Sequence, residues 1–294
     1  MRPTDTLTGS AIVDMHLHTT ESDGVRTPTE VVNAAIKLGL AGIAITDHDT
    51  VSGVAEAVTA AEQSNTDVLS GIEFTAEKAR KELHILGYGV NTRHAGLLSL
   101  ADKLRQSRLD RARSMVNKLS GLGIELDFDD VLEQAGPGNI GRPHIARAML
   151  DAGIISTMQE AFERFIGRNC PAYADRWRVE PVTAVNLIHD AGGLAFLAHP
   201  GLRGASSYIR FLVDRGLDGI EVYHSRHTPE TVAKLDVLAD KLGILKSGGS
   251  DCHGPSREGP ALIGSQPVPT AWFERIKAAL ADGSGQRTRQ GTIS

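Results

Sequence analysis

Histidines and carboxylates recur in this sequence wherever a short apolar run ends. His16 and His18 follow Ala11 to Val13, with Asp23 a few residues on; Asp47-His48-Asp49 follows Gly42 to Thr46; Glu73 closes Asp67 to Ile72; His84 lies in Glu82 to Tyr88; His199 follows Leu194 to Ala198; Asp251-Cys252-His253 follows Ile244 to Ser247. Imidazole and carboxylate without thiolate suit zinc, manganese or iron used for hydrolysis. Side chains alternate faces along a strand, so His16 and His18 point the same way and can meet one ion. Singly, each residue has an ordinary reading: His84 as a core histidine, Glu73 as a cap or ion-pair partner, Asp23 as a turn residue. Those readings would all have to hold at successive strand ends, whereas one shared metal site explains the set together.

The elements that must position these residues can be read from the same stretches. Thr27-Pro28-Thr29-Glu30 ahead of Val31, Val32, Ala35 and Ile36, with Gly39 after them, predicts a helix with an N-cap, a first-turn proline, a capping box and a glycine stop. A second helix is expected from about Val51 to Gln63 and a third near Pro181 to Ala191. Strands alternating with helices imply an α/β fold of parallel strands and crossover helices, whose reactive residues gather at the carboxyl ends of the strands. From about Asn91 to Cys170 the strand signal gives way to helical spacing of Leu97, Leu100, Leu104, Leu109, Met115 and Leu119. The expected division is a barrel over 10–92 and 171–282, a helical insertion over 93–170 covering the active site, and a flexible tail over 283–294.

Bulk properties narrow the partners. A formal net charge of -5 argues against gripping long nucleic acid through its phosphates, and leaves a small anionic substrate open. The two cysteines, Cys170 and Cys252, make no disulfide framework. MRPTDTLTGS lacks a basic-then-apolar leader and no apolar run is long enough to span a bilayer, so a cytoplasmic address without membrane partners is expected.

The set Asp14-Met15-His16-Leu17-His18, Ser22-Asp23-Gly24, Thr46-Asp47-His48-Asp49, Gly71-Ile72-Glu73, His84 to Gly89, Ala198-His199-Pro200 and Gly249 to His253 resembles the PHP (polymerase and histidinol phosphatase) family, and within it the TrpH-type stand-alone phosphoesterases. The resemblance implies a distorted (βα)7 PHP barrel with an inserted helical subdomain and a trinuclear site. It implies one ion on His16, His18, Glu73 and Asp251, a second on Glu73, His84 and His199, and a third on Asp23, His48 and His253. Two to three divalent ions (Mn, Fe or Zn) are the expected cofactors. Asp47 and Asp49 either orient His48 or, for Asp49, serve as a solvated or capping residue.

The substrate side rests on softer features. Gly141-Arg142-Pro143-His144 resembles the family's substrate-facing turn, and Arg113 lies on a preceding helix with Arg108 and Arg111. Arg113, Arg142, His144 and His227 are the candidates for substrate binding, because an arginine fork and a histidine both suit phosphate. Glu73, His199 and His227 are the candidates for contact with the reacting group, and His224 is a further one, although a surface loop would explain both His224 and His227. His94 and His189 read as structural. The expected reaction is hydrolysis of a phosphate monoester by a hydroxide that the cations generate from water. The expected substrate is a 3′,5′-bisphosphonucleotide. Alternatives are 5′→3′ trimming of short RNA, histidinol-phosphate hydrolysis, and a non-catalytic module stabilised by metal. No G-x-S-x-G or P-loop motif is present.

Overall fold

A computed structural model describes residues 12–136, 138–254 and 262–283. The polar tail expected from 283 lies outside the described residues beyond Gly283, as does the start of the barrel at residues 10 and 11. The chain begins with β1 (Ile12–Leu17), α1 (Pro28–Lys37), β2 (Gly42–Ile45), α2 (Val54–Ala61), β3 (Asp67–Lys78) and β4 (Lys81–Tyr88). A helical stretch follows: α3 (Ala95–Ser120), α4 (Phe128–Ala135), α5 (Arg142–Asp151) and α6 (Met158–Ala161), the last running into a π turn over Phe162–Ile166. The final part is α7 (Pro181–Asp190), β5 (Leu194–Leu197), α8 (Ile209–Val213), β6 (Gly219–His224), α9 (Pro229–Leu242), β7 (Leu245–Gly249), β8 (Val268–Pro269) and α10 (Thr270–Ala281). No helix among the described residues is long and apolar enough to cross a membrane.

Local chemistry accounts for the helix ends. Thr27 accepts the Glu30 N–H while Glu30 reaches back to the Thr27 N–H, and Gly39 stops the helix at φ 69°. The eight strands lie in the order β7-β6-β5-β4-β3-β2-β1-β8. The sheet curls back on itself: the His18 N–H donates to the Cys252 carbonyl at 3.1 Å and the Asp251 N–H to the His16 carbonyl at 3.0 Å, joining β1 to the exit of β7. The result is a nearly closed barrel.

The expected run of parallel strands is corrected in its middle, where β3 pairs antiparallel with β4 and β4 antiparallel with β5. Only Ala79 and Arg80 separate β3 from β4, both at positive φ (49° and 64°). A two-residue link closes a hairpin and cannot carry a crossover. Two placements change with it. Glu73 sits inside a long β3 rather than at its end, and His84 reaches the same rim from near the amino end of β4, opposite Thr75.

Apolar residues separate into three clusters. Val13, Met15, Ala44, Leu86, Tyr88 and Phe196 fill the barrel with Phe273 and Ile276 of α10, while Ile43, Ile45, Ile72, Phe74, Ile85 and Leu197 face the surrounding helices. A third cluster runs from Ala112 to Ala174. Helix α3, about 39 Å long at 1.5 Å per residue, joins two of them: Leu97 and Leu104 pack on the barrel, Met115 and Leu119 into the third cluster. Arg108 and Arg111 lie at the change-over.

Candidate metal centre

The alternation that fills the barrel also aims the site. Glu73 lies between outward Ile72 and Phe74, Glu221 between outward Ile220 and Val222, and His84 shares a face with inward Leu86 and Tyr88. In β1 the register shifts between Asp14 and Leu17, so that inward Met15 is followed by outward Leu17. This irregularity turns His16 and His18 toward the inner rim.

The structure brings all nine expected ligands to one rim. His16 Nε2 lies 3.3 Å from both Glu73 Oε2 and Asp251 Oδ1, and His18 Nε2 lies 3.2 Å from the same two oxygens. Bonds of about 2.0 to 2.2 Å at tetrahedral angles would set donor atoms roughly 3.3 Å apart, so this spacing suits a cation. Glu73 Oε1 faces His84 Nδ1 at 2.8 Å and His199 Nε2 at 3.2 Å, and Oε2 also lies 3.1 Å from His48 Nδ1. Asp23 stands 3.2 Å from His253 Nε2, 3.7 Å from His18 Nδ1 and 4.0 Å from His48 Nε2. Among the described residues, the donor sets lying within 4.8 Å of one another are His16, His18, Glu73 and Asp251; His48, Glu73 and His84; and His18, Asp23, His48 and His253. His199 falls outside these sets and meets them through Glu73, whereas His18 and His48 each face two of them.

Buried atoms left without partners test the fit. His16 Nε2, both ring nitrogens of His18, His48 Nδ1 and Glu73 Oε2 are buried without a hydrogen bond. Each such group ordinarily costs about 1–3 kcal/mol, and a cation among these converging lone pairs satisfies them together. The electrostatics agree. Burial opposes charge on His18, but Asp251 and Glu73 outweigh it and carry its pKa up to about 10. Burial likewise opposes charge on His84, which Glu73 and Glu82 carry up to about 9, while burial holds His48 down to about 4. Glu73, Asp23 and Asp251, for which burial alone would favour the neutral form, are held well below the usual carboxylate range by the facing histidines. At His18 and His84 a bound cation would take the place of a proton.

A second layer holds the donors in place. Glu221 Oε1 lies 2.9 Å from His16 Nδ1, and its Oε2 accepts the His199 N–H at 2.6 Å. The Arg226 N–H donates to His224 Nδ1, leaving His224 Nε2–H to face Asp251 Oδ2 at 3.1 Å. Asp47 accepts from the Thr19 N–H, the Thr19 hydroxyl and Ser22, tying down the loop that carries Asp23. Asp49, His199 and Asp251 have left-handed backbone (φ 55°, 32° and 55°), which bends the chain at the rim. Sequence reading passed over Glu221; its signal was an acid inside the apolar strand Gly219-Ile220-Glu221-Val222.

Two of the expected substrate contacts, Arg113 and His227, are not among the residues lining the two cavities at the rim. His227 donates from Nδ1 to the Val222 carbonyl at 2.9 Å and accepts the Gly201 N–H at Nε2 (3.1 Å), so both ring nitrogens are engaged by backbone groups. Arg113 is exposed over the Phe128 ring. Helical spacing explains it: Arg108 and Arg111 are three apart and share a face, and Arg113 lies some 140° around from Arg108.

Beside the rim, a cavity of about 380 Å³ is lined by His48, His84, Arg108, Arg111, Arg142, His144 and Arg176. Arg142 and His144 open α5, with His144 Nδ1 accepting the Gly141 N–H at 3.1 Å. Asp49 binds Arg108 through Nε (3.0 Å) and Nη2 (2.5 Å), and stands 3.7 Å from Arg176 Nη1. Arg176, unforeseen from sequence, has a side chain only 3% exposed, and its Nε and Nη1 have no hydrogen-bond partner. Burial and the neighbouring arginines lower Arg111 to about 9, and burial with Arg108 lowers Arg176 to about 10. Four guanidinium groups, two of them against Asp49, line this cavity together with the carboxylates of Asp23 and Glu82, and the surplus of cations makes it a cage for an anion.

The chain is similar to known proteins. The PHP domain family matches residues 14–168. A 3′,5′-nucleoside bisphosphate phosphatase of Chromobacterium violaceum is 34% identical over 88% of this chain and 93% of its own. A 5′-3′ exoribonuclease of Haemophilus influenzae is 32% identical over 82% of this chain and 90% of its own. Among solved structures, a metal-dependent phosphoesterase of Bifidobacterium adolescentis superposes with a TM-score of 0.81 at 32% identity, covering 92% of this chain and 96% of that one.

Proposed function

The chain belongs to the PHP family of metal-dependent phosphoesterases, and from that premise we propose that it hydrolyses the 3′-phosphate of a nucleotide that also carries a 5′-phosphate. The observation that carries this reading is the adjoining pair of sites: His48, His84 and His253 line both the cavity at the ligand cluster and the arginine-walled cavity next to it. One phosphate reacts at the cluster while the arginines hold the other. The similarity to a 3′,5′-nucleoside bisphosphate phosphatase supports it.

Two to three divalent ions are the cofactors of this reading, held by the nine ligands His16, His18, Asp23, His48, Glu73, His84, His199, Asp251 and His253. Nitrogen and oxygen donors without thiolate suit manganese, iron or zinc. Bound there, the ions supply Lewis acidity, which acidifies water and offsets charge on the phosphoryl oxygens. The protein's own groups do the rest. Glu73 belongs to two donor sets, with Oε2 facing His16, His18 and His48 and Oε1 facing His84 and His199. Glu221 accepts a hydrogen bond from Nδ1–H of His16, which would leave Nε2 as the atom that faces a bound cation. Arg108, fixed by Asp49, and Arg111, Arg142 and Arg176 bind the distal phosphate and set the distance between it and the reacting one. The helical stretch that supplies Arg108, Arg111 and Arg142 covers the mouth of the barrel.

The test is a panel of 3′,5′-bisphosphonucleotide, histidinol phosphate and short 5′-phosphorylated RNA, assayed with manganese. Inorganic phosphate and a nucleoside 5′-monophosphate from the first substrate are expected. Preference for histidinol phosphate would contradict the reading.

A further inference from the structure

A second basic cavity, of about 250 Å³, opens at the tip of the β3–β4 hairpin. Arg80 and Lys81 of the hairpin line it, with Arg168 and Arg178 from the chain after α6 and Arg203 from the loop after β5. It shares lining residues with the site already described. Arg142 lines both this cavity and the arginine cage, Arg203 lines both this cavity and that of the ligand cluster, and Glu82 borders all three.

Charge here is unbalanced. Glu77 and Glu82 are the carboxylates in the wall, and they are taken by Arg178 (3.3 and 3.8 Å) and Arg203 (3.4 Å to Glu82). Among the described residues no carboxylate lies within 4 Å of the basic groups of Arg80, Lys81, Arg142 or Arg168; Arg168 reaches the Arg80 carbonyl and Arg142 lies over the Phe162 ring. Cations gathered without counter-charge around a cleft attract a polyanion. The two-residue hairpin link, with both residues at positive φ, fixes Arg80 and Lys81 at the rim and gives the cleft a rigid edge.

The placement gives a direction. If the 5′-phosphate of a nucleotide sits in the arginine cage and its 3′-phosphorus at the cluster, any further substituent on that phosphorus leaves toward the hairpin side. A phosphate monoester has none. A phosphodiester continues there into the next nucleotide and its phosphate.

We propose that the cleft of Arg80, Lys81 and Arg168 is a subsite for the backbone phosphate that follows the scissile one in a short single-stranded oligonucleotide, and that it sets how well chains compete with a mononucleotide. The proposal rests on the reading of the preceding subsection, since both substrates share the broken bond. Water oxygen joins phosphorus, the P–O3′ bond of the first nucleotide breaks, and a proton from that water ends on O3′. A monoester then gives a nucleoside 5′-monophosphate and inorganic phosphate. A chain gives a nucleoside 5′-monophosphate and a chain one residue shorter with a new 5′-phosphate.

The experiment compares wild type with an Arg80→Glu/Lys81→Glu/Arg168→Glu triple variant, both loaded with manganese, on a 3′,5′-bisphosphonucleotide and a 5′-phosphorylated tetranucleotide. The variant should keep wild-type turnover of the bisphosphonucleotide, which also proves it folded, while KM for the tetranucleotide rises about ten-fold or more and its salt dependence flattens. An unchanged tetranucleotide KM overturns the subsite, and so does an equal loss on both substrates. Should a triple variant misfold, Arg80→Gln/Lys81→Gln is measured in its place, with the same direction expected and the same outcomes decisive. A direct reading comes from fluorescence anisotropy with a labelled phosphorothioate tetranucleotide, whose sulfur-substituted linkages slow cleavage. Weaker binding by the variant supports the subsite even if wild type fails to hydrolyse the bisphosphonucleotide, a failure that would count against the function reading alone; equal binding overturns the subsite.

Discussion

The imidazole of His16, whose Nε2 lies 3.3 Å from both Glu73 Oε2 and Asp251 Oδ1, sets its Nδ1 2.9 Å from Oε1 of Glu221, with the side chains of His16 and Glu221 fully buried. Through its other oxygen the same carboxylate holds the backbone of His199.

Glu221→Gln is therefore expected to weaken manganese binding about 10- to 100-fold, the range typical of a lost partner behind a metal-bound histidine. Calorimetric titration of metal into metal-free protein measures it, with circular dichroism as the check on the fold. Wild-type affinity in the variant would show that Glu221 is only a buried structural acid.

Arg176→Ala should discriminate between substrates. The guanidinium lies in the cage and not in the ligand cluster, so KM for a substrate with two phosphates should rise about 10- to 100-fold, matching roughly 1.5–3 kcal/mol for a hydrogen bond to a charged group. Turnover of p-nitrophenyl phosphate, which has one phosphate, should stay at the wild-type level.

His227→Gln should cost stability and little else. Two hydrogen bonds to backbone are at risk, at about 1 kcal/mol each, seen as a lower Tm. The pH–rate profile should keep both limbs; loss of a limb would restore His227 to a proton-transfer role.

Proton linkage predicts how metal and pH interact. His18 and His84 have pKa values raised from 6.5 to about 10 and about 9, because facing carboxylates outweigh burial. Groups raised on folding stabilise fully below their unfolded pKa, so this contribution to the metal-free protein is present below pH 6.5 and is lost as pH climbs through about 9 to 10. His48, lowered to about 4 by burial, acts oppositely and costs stability as pH falls from 6.5 through 4. Since cations displace the protons of His18 and His84, the rise in Tm on adding manganese should grow between pH 6.5 and 8.5. Scanning calorimetry with manganese or chelator measures this, and a rise that shrinks over that interval would contradict it.

The parts of the site legible in the sequence were those whose signal is local. Asp47-His48-Asp49, His199 and Asp251 each follow an apolar run, and Thr27 with Glu30 announced α1 through a cap that depends on four consecutive residues. What escaped depends on chain direction or on distance. The reversal at Ala79-Arg80 put Glu73 in mid-strand and His84 near a strand start, and no periodicity distinguishes an antiparallel neighbour from a parallel one. Arg176 approaches the cage only through tertiary packing, whereas Arg113, nearer in sequence to the expected basic run, is carried to the opposite side by the turn of α3. Glu221 was visible as a strand residue, but its partner His16 lies 205 positions away.

Convergence of these histidines and carboxylates on shared cations is what the proposed chemistry depends on most. Anomalous diffraction from manganese-soaked crystals tests it most directly. Peaks are predicted within the donor sets, first between His16, His18, Glu73 and Asp251, with Glu73 bordering more than one peak. Well-ordered ligand side chains with no anomalous density among them, or manganese bound only elsewhere on the protein, would contradict it.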